Sequence, residues 1–221
     1  CASRIYLKSD KSIFYLCLSV LFITGFQGWL GSAVVASNLK PFMITLHMLL
    51  ALFIVALLIF SIAKSQRDYL VDIDSSQLSS SVYTAIKFAM GFTLIQIAMG
   101  TQVREAVDFI AHEHKYIDRE YWRDSFPIIF YIHRSFSAII LFTNLWISWK
   151  IYQSVDKDNV LLRCAYLLVG VIATAIIAGI TLDRLGVPPI AQPIHLLMAN
   201  IIFGVQFFIY ICLFYSSKKQ A

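Results

Sequence analysis

The sequence predicts an all-α membrane protein with six transmembrane helices. Of its 221 residues, 59% are hydrophobic and only 14% are charged, which is too apolar for a water-soluble domain. Six apolar stretches reach the ~20 residues that a helix needs to cross ~30 Å of hydrocarbon. We place helices A to F at 12–36, 40–63, 80–103, 126–149, 159–182 and 189–215.

The distribution of basic residues predicts how these helices are oriented. When the segments between helices are assigned alternately to two sides, 11 of the 18 Lys and Arg residues share the side of the N-terminus and 7 lie opposite. By the positive-inside rule, both termini of this sequence are expected to be cytoplasmic. The net charge of +5 therefore reflects topology, and we expect membrane lipid but no nucleic acid as a partner.

An internal repeat predicts how the helices group into domains. Residues 31–51 align without gaps with residues 179–199, and the alignment matches a glycine, a proline, a histidine, a leucine and an alanine. We interpret this as a duplicated four-helix unit. Residues 1–63 then form the second half of an N-terminal bundle, 64–79 a cytoplasmic linker, and 80–221 a complete C-terminal bundle. We expect the first two helices of the earlier copy to be missing from the sequence.

Three histidines follow a proline at the same spacing, with five residues between them. Proline is favoured in the first turn of a helix, so each histidine is expected ~9 Å along its helix from the proline, at 1.5 Å per residue. All three helices enter from the same side of the membrane, which places the imidazoles at one depth. The pairs are Pro41 and His47, Pro127 and His133, and Pro189 and His195.

The chemistry of these histidines allows several readings. A single transmembrane histidine can act as a packing contact, but intramembrane ionisable groups usually mark a functional site. Zinc prefers four ligands, and no cysteine or carboxylate lies at this depth, whereas haem iron can take two axial histidines. We expect His133 and His195 to bind haem iron. Arg104, Arg134 and Arg184 are candidate partners of the propionates, or ordinary interfacial anchors.

Five segments resemble one known family, haem A synthase. They are QGWLGSAVVASNL at 27–39, TLHMLLAL at 45–52, QIAMGTQVREAVD at 96–108, YIHRSFSA at 131–138 and AQPIHLLMAN at 191–200. Each string is modest alone, but their order and spacing make the resemblance fairly specific. It implies an integral membrane enzyme of eight helices in two four-helix bundles, which agrees with the duplication.

The resemblance also implies an activity and a set of site residues. His133 and His195 would ligate a resident haem b, and His47 would bind the iron of the substrate, haem O, and take part in catalysis. The enzyme would oxidise a haem methyl group to a formyl group, with haem b relaying electrons from an unidentified donor. The location would be the bacterial plasma membrane, or the mitochondrial inner membrane in a eukaryote, and haem O synthase is a candidate partner.

Two features qualify this expectation. Phe130 stands where the repeat would place a catalytic glutamate, so the C-terminal bundle is expected to transfer electrons rather than perform the chemistry. With half of the substrate site missing, the sequence as given is expected to be inactive alone. A b-type cytochrome that only relays electrons, and a haem-free transporter or structural bundle, are the alternatives. Gln27, Gln96 and Gln192 are intramembrane amides that could bond to each other, to the second nitrogen of a histidine or to a haem edge.

Overall fold

The computed structural model describes residues 11–115, 117 and 119–217. Within these residues the chain forms seven α-helices and one short 3-10 helix, and no strand. The α-helices are α1 (Lys11–Ala36), α2 (Pro41–Ser65), α3 (Arg67–Val71), α4 (Ser80–Glu113), α5 (Ile128–Ser154), α6 (Val160–Arg184) and α7 (Ala191–Ser217). The 3-10 helix, Arg119–Ser125, lies between α4 and α5.

Six of these helices, all except α3, are long and apolar enough to cross a membrane. The prediction of an all-α membrane protein with six spans is therefore confirmed. Helices α1 and α2 carry large exposed apolar side chains along their length, such as Phe22 and Phe42. Their backbone groups are satisfied within each helix, which is the condition for a span in contact with lipid.

The proline signals mark the starts of three of these helices. Pro41 occupies the first turn of α2, Pro127 is the residue just before α5, and Pro189 lies two residues before Ala191, where α7 begins. His47, His133 and His195 consequently lie in the second turn of their helices, as the spacing predicts.

The contacts divide the chain into two compact units. The first takes in residues up to Gln77 and the end of α7 from Phe207, and the second runs from Leu78 to Gln206. Their assignment to two duplicated bundles, with a linker at 64–79, remains a prediction. Residues 1–10 and 218–221 of the predicted domains lie outside the described residues.

In the first unit, α1 and α2 pack against each other. The Lys64 ammonium near the end of α2 donates to the Ser12 hydroxyl near the start of α1. In the second unit, α4 packs against α5, and α5 against α6. Asn159 caps α6 by accepting a hydrogen bond of 2.9 Å from the backbone N–H of Leu161, an arrangement that stabilises a helix by about 1 kcal/mol.

Helix α4 runs ten residues beyond the predicted end of helix C, to Glu113. The extension continues because Ile110 and Ala111 find an apolar partner surface outside the span. They form a small core with Trp122, Phe126 and Val187. We call the segment 104–126 the cap. Phe130 near the start of α5 and Leu182 near the end of α6 also pack against this core.

A glycine allows the cap to approach the loop between α6 and α7. Gly186 has φ +64°, and a Cβ at this position would stand 2.9 Å from Arg119 Cβ. Any other residue would therefore be strained in its backbone and would collide with the 3-10 helix. Trp122 adds to the contact by packing in one core with Val187 of this loop, and its indole N–H donates to the carbonyl of Ile117 within the cap at 3.0 Å.

We predict that Trp122→Ala detaches the cap. The side chain is 3% exposed, and truncating a buried tryptophan usually costs about 3–5 kcal/mol. The expected result is faster limited proteolysis between α4 and α5 in membrane preparations. Phe109→Ala, on the same helix but at a side chain 64% exposed, is the control and should leave the cleavage rate unchanged.

Candidate functional site

Two histidine side chains face each other inside the second unit. The ring centres of His133 on α5 and His195 on α7 are 6.4 Å apart, and the ring planes are inclined by 66°. Both side chains are partly buried. The sequence predicted that these two residues belong to one site, and the structure brings them together.

The separation of the rings suits a shared metal ion. Metal–imidazole bonds are about 2 Å long, and the nitrogen lies about 1 Å from its ring centre, so two imidazoles on one metal have centres about 6 Å apart. The 6.4 Å gap is too wide for a hydrogen bond between the rings and close to that value. The inclined planes are no obstacle, because each ring can turn about its bond to the metal.

His133 is held by the preceding helix of its pair, α4. The Gln96 amide donates a hydrogen bond of 3.0 Å to the backbone carbonyl of His133, and the same nitrogen lies 3.4 Å from His133 Nε2. The second contact is longer than an ordinary hydrogen bond. A Cβ on Gly100 would stand 3.4 Å from the ring, so the absence of that side chain makes room for the imidazole.

The protein leaves His133 incompletely satisfied. Its Nδ1 and the Gln96 Oε1 are buried and lack a hydrogen-bond partner among the described residues. A buried polar atom without a partner costs about 1–3 kcal/mol, and such exceptions in native proteins call for an explanation. His47 Nδ1 and Gln27 Oε1 are in the same state, so the exception belongs to the pairing of histidine with glutamine in both units.

His195 is oriented by a backbone carbonyl. Its Nδ1–H donates to the carbonyl of Ala175 on α6 at 2.9 Å, which fixes the tautomer and leaves the lone pair on Nε2. Metal-binding histidines commonly donate their second nitrogen in this way. Gly179, four residues after Ala175, lies beside the ring, where a Cβ would be 3.3 Å from Cε1.

His47 has the same surroundings in the first unit. The Gln27 amide donates to the carbonyl of His47 at 2.9 Å and lies 3.2 Å from Nε2, while a Cβ on Gly31 would stand 3.1 Å from the ring. His47 Nδ1 is buried without a partner in the described part of the chain. Of the partners considered for the intramembrane amides, Gln27 and Gln96 therefore take a histidine.

Charged side chains gather at the end of α6 in the second unit. The carboxylate of Asp183, which is 9% exposed, forms ion pairs with Arg123 at 3.0 Å, Arg134 at 3.4 Å and Arg184 at 3.7 Å. The contact with Arg123 is electrostatic rather than an aligned hydrogen bond, since Asp183 Oδ1 has no hydrogen-bond partner in the described residues. Three cations around one anion leave an excess of positive charge here.

The three predicted arginines are therefore placed differently. Arg134 and Arg184 share the Asp183 cluster, whereas Arg104 pairs with Asp108 one turn along α4 at 3.5 Å, with both side chains largely exposed. The sequence analysis missed Asp183 and Arg123. A signal was present for Asp183, because an acidic residue at the end of an apolar span requires a cationic partner.

Comparison with family models identifies the group to which these helices belong. The model COX15-CtaA, described as cytochrome oxidase assembly protein, matches residues 2–207. No curated protein and no solved structure gives a match. The match covers most of the chain and includes all three histidines, so the resemblance found in the sequence is confirmed: the chain belongs to the COX15-CtaA family of cytochrome oxidase assembly proteins, the haem A synthase family.

Proposed function

We propose that the protein is an oxidoreductase that converts haem O to haem A, with a resident haem b bound by His133 and His195. The observation that carries this proposal is the 6.4 Å separation of the two rings within a chain of the haem A synthase family. His47 binds the iron of the substrate haem O, whose methyl group is hydroxylated and then oxidised to a formyl group, with the oxygen atom and the oxidising equivalents coming from an external oxidant. A bound haem b supplies one-electron transfer between an external donor and the substrate site.

His133 and His195 would hold the iron of a haem placed between them. Gly100 and Gly179 leave space beside the imidazoles, and Phe92 and Phe136 join α4 and α5 by an edge-to-face contact with ring centres 5.8 Å apart. Ala175 holds His195 in the tautomer that presents Nε2.

The cluster around Asp183 supports the placement of the propionates. Arg134 directly follows His133, and Arg184 lies five residues after Gly179, so both guanidinium groups are near the end of the site. Asp183 holds them in place through one nitrogen each, and their remaining N–H groups stay available to carboxylates. Arg104 remains a weaker candidate, because its partner Asp108 is one turn away on the same exposed surface.

We predict that the histidines differ in their effect on resident haem. His195→Ala removes an axial ligand and should abolish the low-spin b-type signal in a reduced-minus-oxidised spectrum of the purified protein. His47→Ala should leave that signal in place. If only His47→Ala removed it, the assignment of resident and substrate sites would be wrong.

A second prediction concerns the glycine beside His195. Gly179→Val places methyl groups against the His195 ring, which must then shift. The haem content should fall by about tenfold, which is the scale of effect when a group that orients a metal ligand is lost. Gly170→Val is a matched control on the same helix, because a Cβ there meets no atom within 4 Å. Equal haem content per protein in the two variants would contradict the proposed position of the cofactor.

The activity itself is tested by incubating haem O, a reductant and dioxygen with the membrane-embedded protein expressed from its full natural reading frame. Mass spectrometry of the extracted haem should detect the formyl product, and His47→Ala should abolish it. A protein that retains the low-spin haem signal but never yields this product would instead be a b-type cytochrome that only relays electrons.

A further inference from the structure

A buried polar network joins three helices of the second unit. The amide of Gln206 on α7 donates a hydrogen bond of 2.9 Å to Asn144 Oδ1 on α5, and the Thr93 hydroxyl on α4 lies 3.0 Å from Gln206 Oε1. Asn144 in turn donates to the carbonyl of Ile140 at 2.7 Å. Asn144 and Gln206 are 0% exposed and Thr93 is 3% exposed.

The two amides occupy equivalent positions on the helices that carry the facing histidines. Asn144 follows His133 by eleven residues, and Gln206 follows His195 by eleven residues. Eleven residues are about three helical turns, so each amide projects from nearly the same face of its helix as the histidine. Helices α5 and α7 therefore meet twice, once across a 6.4 Å gap between imidazoles and once in direct contact between amides.

The network also reaches the third helix of the site. Thr93 lies three residues before Gln96 on α4, and Gln96 donates to the carbonyl of His133. The amide contact thus joins the three helices ~16 Å, or about three turns, along α5 and α7 from the histidines, while Thr93 on α4 lies within one turn of Gln96.

The first unit provides an internal comparison. The residue that follows His47 by eleven positions is Leu58, whose side chain is 44% exposed. Its helix pair has the histidine, the glutamine and the glycine of the second unit but no amide at this position. The packing of α1 against α2 thus places a histidine beside a glutamine and a glycine without an amide at this position.

Stability alone is a weak reason for such a network. Hydrogen bonds between membrane helices contribute little, because the separated helices find other partners. A paired amide in an apolar interior affects the alignment of two helices more than it affects their stability. Any shift along the helix axis would leave buried polar groups unpaired.

We propose that Asn144 and Gln206, joined by Thr93, act as positioning residues that set the alignment of α5 and α7 and thereby hold His133 and His195 at the separation that haem iron requires. This inference rests on the proposed function, because it concerns the same haem site. A substrate site that must exchange its haem has no need of such a fixed gap, which agrees with Leu58 at the corresponding position of α2.

The test replaces both amides by apolar side chains, as Asn144→Leu with Gln206→Leu, so that neither partner remains buried and unpaired. The purified protein is examined for its low-spin electron paramagnetic resonance signal, the midpoint potential of the haem and the rate of haem loss to an acceptor protein. We expect a shifted signal and haem loss about tenfold faster, the scale of effect for groups that orient a metal ligand.

Three further variants separate positioning from mere packing. Asn144→Gln with Gln206→Asn exchanges the amides and should restore the signal and the rate. Thr93→Val keeps the side-chain shape but removes the hydroxyl, and should shift the signal in the same direction as the double leucine variant but by a smaller amount. If the double leucine variant does not accumulate, Thr93→Val provides the test in its place. Ser148→Ala removes another buried hydroxyl of α5, one that faces α6, and should leave the signal unchanged.

The outcomes distinguish this inference from the function on which it rests. Absence of low-spin haem from the unaltered protein would overturn the proposed function. Low-spin haem in the unaltered protein, together with the same signal and rate of haem loss in the double leucine variant, would overturn the positioning role alone. So would a change of equal size in Ser148→Ala.

Discussion

The contact between an imidazole and a glycine of the preceding helix is the constraint on which the rest of the structure depends. In three helix pairs the ring lies where a Cβ would stand 3.1 to 3.4 Å from its Cε1 atom. The glycine lets the ring lie between the helices, where a glutamine or a backbone carbonyl can reach the histidine. Facing lipid, the same ring would have no partner for its nitrogens, which is costly in a bilayer.

Charge at the end of the second unit depends on how α5 and α6 pack. These two helices lie against each other, and Asp183 at the end of α6 lies where three guanidinium groups reach it. One of these, Arg123, belongs to the cap, so the apolar core around Trp122 and the ion pairs both hold that segment against α6. An isolated carboxylate at the edge of an apolar helix would be unfavourable, and the cations make it tolerable while leaving positive charge for an anionic ligand.

The sequence predicted well the features that depend on a single helix, and predicted less well those that depend on contacts between several helices. The six spans and the depth of the histidines follow from apolar length and from Pro41, Pro127 and Pro189, which act locally. The extension of α4 to Glu113 was missed because it depends on Trp122 and Val187, residues distant along the chain that pack against it. Asp183 and the partners of Arg134 were missed for the same reason. Periodicity within one helix cannot reveal an ion pair between side chains of different helices.

The two units share one motif but differ in what surrounds it. Gln27, Gly31 and His47 repeat the arrangement of Gln96, Gly100 and His133, so the local geometry of the imidazole is alike in both. Three turns along, the second unit has a buried amide pair where the first has an exposed leucine. A bound group that stays in place benefits from helices held at a fixed alignment, whereas a group that enters and leaves benefits from helices that can separate. Under the proposed function, the second unit would hold a resident haem and the first a substrate haem, and this difference between them would lie eleven residues from the histidines.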